Sequence, residues 1–76
     1  MASVAKVIQL VGSSDKSFSD AVRAAVEQAS QTIRGIRGVD VVSSQAIIED
    51  NEITEYRVTV NLAFGIERGE DVSEDQ

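Results

Sequence analysis

The chain contains no cysteine and no histidine. The first absence removes thiol chemistry and the disulfide-rich secreted scaffolds, and the second removes a catalytic triad or imidazole base. Together they leave no Cys or His cluster that could clip the fold with zinc. Positive charge is also scarce. The formal net charge is -6, and the seven basic residues, Lys6, Lys16, Arg23, Arg34, Arg37, Arg57 and Arg68, are scattered singly along the chain. Neutralising phosphates requires a clustered basic surface, so nucleic acid is not an expected partner. No run approaches the roughly 20 apolar residues of a membrane span. The stretch from Met1 to Gly12 is broken by Lys6 and Gln9 and has neither a basic leader nor an A-x-A cleavage site. A soluble cytoplasmic protein that avoids membranes is the expectation.

What remains is the composition of a folding chain, with 42% hydrophobic and 26% charged residues, which is too apolar for general disorder. Its 76 residues suffice for a single small domain. Such a domain buries only about 60% of its unfolded surface, and no covalent or metal staple is available here. Self-association is the support that remains.

Ala5 to Val11 is rich in Val, Ile and Leu and runs into Gly12-Ser13-Ser14, the pattern of a strand meeting a turn. Ser17-x-x-Asp20 has the form of a capping box with Asp in place of Glu, so a helix should begin there. Phe18, Val22, Ala25, Val26, Ala29 and Ile33 form one apolar stripe, with Gly35 as the expected stop. Ile36-Arg37-Gly38 reads as a connector, and Val39 to Ile48 as a second strand. After the polar turn Glu49-Asp50-Asn51-Glu52, Ile53 to Ile66 alternates cleanly. Tyr56, Val58, Val60, Leu62, Phe64 and Ile66 occupy one face, and Glu55, Arg57, Thr59 and Asn61 the other. The class is α+β, a βαββ chain whose three-stranded antiparallel sheet packs on one helix. Phe18 and Phe64 are expected in the core. One helix covers one face of the sheet, so the apolar residues on the other face need a partner.

The fragments KVIQLVGSS, SFSDAV, ASQTIRGIRGVDVV and IIEDNEITEYRVTVNLAFGIE, in this order and spacing, resemble the dodecins. These are small βαββ proteins that assemble as hollow homododecamers and commonly bind flavins. The resemblance runs from about Val4 to Glu67, which divides the chain into a domain over 1–67 and a tail over 68–76. It implies a non-enzymatic shell that binds, stores or sequesters a small ligand, with riboflavin or FMN as the default.

The resemblance also identifies positions for the flavin. Family members that bind it carry a Trp after the arginine-containing connector, where Gly38 stands here, beside Arg37. They carry a Gln after the Tyr of the third strand, where Arg57 stands here. Glycine provides no stacking surface, and a guanidinium offers only donors where an amide offers a donor and an acceptor. Weakened flavin binding is therefore expected at Arg37, Gly38 and Arg57. Each position also has a plainer reading. Gly38 can close a turn, and Arg57 beside Glu55 can form a cross-strand or intersubunit ion pair.

The alternative is a flavin-free shell that is structural or holds calcium or magnesium. Glu49-Asp50-Asn51-Glu52 offers oxygen ligands but lacks the EF-hand spacing and reads first as a solvated turn, so no metal ligands are assigned. From Glu67 to Gln76 the chain carries five acids and one base, four of the six net negative charges. With almost nothing apolar to bury, this tail is expected to be disordered. Gly12-Ser13-Ser14 before the helix would suit either an anion or a plain turn. No catalytic residue is assigned, since no nucleophile with its base and no phosphate loop is present.

Overall fold

The structure is a computed structural model and describes residues 4–65. Four elements succeed one another: β1 (Ala5–Ser14), α1 (Phe18–Ser30), β2 (Ile36–Glu49) and β3 (Glu52–Gly65). The βαββ order and the antiparallel sheet expected from the sequence are both present. β3 is the central strand, giving the spatial order β1-β3-β2. β1 pairs with it from Ala5 opposite Gly65 to Ser14 opposite Tyr56, and β2 pairs along its other edge.

β1 is three residues longer than its apolar run suggests. Gly12, Ser13 and Ser14 stay in the strand, paired with Val58, Arg57 and Tyr56. The glycine serves packing here: a Cβ at Gly12 would strike the carbonyl oxygen of Ala21. Its hydrogen lets α1 lie close on the sheet. The helix begins as the sequence indicates, with Ser17 as N-cap and its Oγ accepting from the Asp20 amide at 2.9 Å. The Asp20 carboxylate instead holds the end of β1, accepting from the Ser14 hydroxyl at 2.8 Å, and it pairs with Arg23 at 3.5 Å.

The helix stops earlier than Gly35. Gln31 is its C-cap, and the amides of Thr32 and Ile33 both turn back to the carbonyl of Ala29. Gly35, with φ 75°, then reverses the chain, and its carbonyl accepts from the Gly65 amide at 3.3 Å. β2 starts at once, so Ile36, Arg37 and Gly38 belong to the strand and not to a connector. Register shifts lie between Ile36 and Gly38, Val41 and Ser43, and Ile47 and Ile48. The hairpin closes through Asp50 and Asn51, with φ 55° and 67°, a two-residue loop in which both central residues are left-handed. The polar tetrapeptide is thus a turn, as its composition indicates.

The core is formed by Ala21, Ala25 and Ala29 of α1 against Val58, Val60 and Leu62 of β3. Ile8, Leu10, Val22, Val26, Ile33 and Ile36 pack around it. Ala21 is absent from the expected stripe, although Ala25 and Ala29 of the same size belong to it, and all three are the small residues that a close helix–sheet approach needs. Phe18 is not a core residue. It opens the helix beyond the covered part of the sheet, is 39% exposed, and meets Tyr56 edge-on with centroids 4.9 Å apart. Phe64 is half-buried.

One helix leaves much of this sheet uncovered. Val7 and Val11 are exposed on β1, and Val39, Val41 and Val42 on β2. The molecule measures 60 × 20 × 13 Å with a radius of gyration of 16.3 Å, whereas a compact chain of this length would have about 11 Å. An elongated monomer with apolar strands on display fits the expectation of self-association. No helix of the described residues is long and apolar enough to cross a membrane. Ile66 and the tail 68–76 lie outside the described residues.

Candidate functional site

Alternation along β3 sends Val58, Val60 and Leu62 to the helix, and so turns Glu55, Arg57, Thr59, Asn61 and Ala63 to the opposite, open face. Directly paired residues share a face, and the pairing therefore fixes rows across the sheet. One row is Val7, Ala63 and Gly38, the next Gln9, Asn61 and Asp40. Then come Val11, Thr59 and Ser43, and after them Ser13, Arg57 and Gln45. The open face is thus a mixed surface of amides, hydroxyls and small apolar groups. Gln9 donates from Nε2 to Asn61 Oδ1 at 3.1 Å, bridging β1 and β3.

Gly38 stands at one end of this face, and a Cβ built on it meets no atom within 4 Å. The turn reading is thereby corrected, since Gly38 sits inside β2 opposite Ala63 and no close approach requires a glycine there. Arg37 occupies the register shift beside it. Its guanidinium lies over Gly65, where a Cβ would come within 2.7 Å of Cζ. A side chain at position 65 would displace that arginine.

Arg57 pairs with Glu55 along its own strand, Nε and Nη2 donating to Oε2 at 3.3 and 3.2 Å. The pair expected to cross strands or subunits is therefore satisfied within β3. Two of the guanidinium's nitrogens face the carboxylate, and the group is partly exposed. Six residues of β3 separate Ala63, opposite Gly38, from Arg57, a distance of about 20 Å at the strand rise. Arg37 and Gly38 are thus together, and Arg57 is remote from both within one chain.

Sequence reading puts Glu55, Thr59 and Asn61 on one polar face and takes Ser13 for part of an anion site or a turn, but misses Gln9, Asp40, Ser43 and Gln45. Gln9 carries a signal, as the polar interruption in KVIQLV. The residues of β2 carry none, because register shifts change the parity of that strand. Among the described residues no three acidic side chains converge as a metal-binding group.

The sequence profile described as Dodecin matches residues 4–67. Dodecin of Thermus thermophilus is 30% identical over 67 residues, covering 88% of this chain and 97% of that protein. The solved dodecin from Streptomyces coelicolor superimposes with a TM-score of 0.83 at 33% identity, over 88% of this chain and 96% of that one. The calcium-chelating antigen calcium dodecin from Mycobacterium tuberculosis, described with a novel calcium-binding site, gives 0.75 at 26%, over 92% and 100%.

Proposed function

Because the chain belongs to the dodecin family, whose members bind small ligands, we propose that it forms a non-enzymatic homododecameric shell, in the cytoplasm, that holds a planar ligand of the flavin type between copies. The carrying observation is Gly38. It lies on the open face beside Arg37, and nothing within 4 Å of its Cβ direction obstructs a flat ring. The separation of Gly38 from Arg57 supports a site completed by a second copy. The loss of an aromatic platform at Gly38 removes a stacking contribution of about 1 to 3 kcal/mol, so riboflavin and FMN bind weakly. Arg57 meets ring carbonyls as a donor but cannot accept from a ring N–H.

The test is the absorbance spectrum of protein purified without added cofactor, and then titration with riboflavin and FMN. Quenched flavin fluorescence at saturation, with weak affinity, is the expected result. Unchanged fluorescence throughout the titration would overturn the reading.

A second reading, in which the shell binds calcium or magnesium, rests on the net charge of -6 per chain and on the calcium-binding relative. Calorimetric titration with calcium in place of flavin distinguishes it. Heat that saturates with calcium, in protein that leaves flavin fluorescence unquenched, would replace the first reading with this one.

A further inference from the structure

Gly65 ends β3, yet its backbone has no need of a glycine. Among the described residues the one glycine in the left-handed region is Gly35, and Gly65 keeps a strand conformation opposite Ala5. What a side chain would meet there is the guanidinium of Arg37: a Cβ at Gly65 comes within 2.5 Å of Nη2, 2.7 Å of Cζ and 3.1 Å of Nε. The glycine is a seat for that one group. Ile36 pairs with Phe64 and Gly38 with Ala63, so Arg37 is an extra residue in β2, and a bulge of this kind re-aims a side chain. Ile36 packs around the core, whereas Ala63 and Gly65, two residues apart, share the open face. Arg37 is thereby laid on the face that carries Gly38. The residue is exposed, and among the described residues its guanidinium has neither an ion pair nor a side-chain hydrogen bond, the arginines so engaged being Arg23 and Arg57. Asp40, the next acid along β2, stands opposite Asn61, two rows from Gly65.

Building on the planar ligand assigned above to Gly38, we propose that Arg37, seated on Gly65, binds a phosphate carried by that ligand, so that the site selects phosphorylated planar ligands over their uncharged parents. Gly65 is two residues from Ala63, the partner of Gly38, or about 7 Å along the strand. The phosphate must then hang from the ring on an arm of several atoms, as the ribityl phosphate of FMN does. Arginine suits it, because its planar fork presents two parallel N–H donors to a phosphate, and charge-assisted bonds of this kind are about twice as strong as neutral ones. The uncharged arm of riboflavin gains no such term. Gly65 is the positioning residue: a side chain there displaces the fork from its place beside Gly38.

Fluorescence quenching of the full-length protein with FMN and with riboflavin gives the preference as a ratio of affinities, expected to favour FMN by about tenfold. Arg37→Gln should bring the ratio near one, and Arg37→Lys should keep part of it, as charge without the fork. Gly65→Ala retains the arginine and alters only its seat, and the ratio should fall several-fold, since the guanidinium can swing aside without disturbing the backbone. A ratio unchanged in Arg37→Gln or in a folded Gly65→Ala would overturn the proposal. A ring-free probe separates it from the fate of the planar site. Phenylglyoxal modification of Arg37, mapped by mass spectrometry, should slow several-fold in excess glycerol 3-phosphate, with Arg23 on the helix as the unprotected reference, and Gly65→Ala should abolish the protection. Where flavins bind, the affinity ratio decides; where they do not, the protection does. Protection without flavin quenching would remove the planar ring and keep the phosphate site. Quenching with equal affinity for both flavins would keep the ring and overturn the phosphate role, and neither quenching nor protection would overturn both.

Discussion

Gly12 of β1 lies directly against the carbonyl oxygen of Ala21 in α1, so that the closest helix–sheet approach depends on a residue without a side chain. Gly12→Ala puts a methyl group where backbone already stands, and backbone cannot rotate away as a side chain can. The substitution should destabilise by about 1 to 3 kcal/mol, the range for overpacking a tight core. Urea unfolding of the assembled protein, at fixed protein concentration, measures it. An unchanged midpoint would show that α1 can lift from the sheet without loss.

Gly38→Trp has the opposite character, because its Cβ enters open space. Folding should be unaffected, and affinity for riboflavin should rise about tenfold or more with the stacking surface restored. Arg57→Gln should add to this by offering both a donor and an acceptor. The double-mutant cycle carries more information than either variant. If two copies present these positions to one ring, the effects should deviate from additivity by more than about 0.5 kcal/mol, the scatter of independent sites. Strict additivity would place the two residues at separate sites, consistent with their distance within a chain.

The hairpin loop offers a stabilising change. Asn51 holds φ 67°, a conformation that glycine adopts without steric penalty. Asn51→Gly should raise stability by a few tenths of a kcal/mol up to about 1, and Asn51→Val, β-branched at positive φ, should lower it by more. Thermal denaturation of the two variants should bracket the parent. The same melting temperature for both would imply that the loop relaxes to another turn.

Assembly should survive removal of Gly69 to Gln76, since the apolar residues that pack the hairpin precede the deletion. Light scattering should show the same oligomer with and without these residues. Val41→Lys, which places a charge on an exposed apolar strand, should disperse it. A truncated protein that falls to monomers would assign the segment an assembly role.

Much of the fold was legible because its determinants are local. Ser17 and Asp20 are three residues apart, the alternation of Tyr56 to Phe64 is contained in one strand, and the Asp50-Asn51 loop arises from four consecutive polar residues. The length of β1 was hidden, since Gly12 to Ser14 have turn composition and only β3, more than forty residues away, makes them a strand. The helix end was misread for a similar reason. Gly35 does provide the left-handed residue, but it serves the entry to β2 after the helix has stopped at Ser30. The candidate site depended most on long-range pairing. Arg37, Gly38 and Arg57 were found by resemblance, whereas their rows, and the distance between Gly38 and Arg57, come from a register with shifts that no local pattern announces.

The order β1-β3-β2 also has a consequence during synthesis. A chain emerging from a ribosome presents β1 first, yet the partner of Ala5 is Gly65. Until β3 is available, β1 and α1 have no sheet to rest on, and Ile8 and Leu10, which pack against the core in the folded chain, stay in water beside an unpaired backbone. The β2–β3 hairpin closes through a two-residue loop and can form as soon as both of its strands are free. β1 must then close a loop spanning most of the domain, a non-local step that slows folding. The strand made first is thus the last to be seated, and the interval lengthens with every pause in translating the final strand.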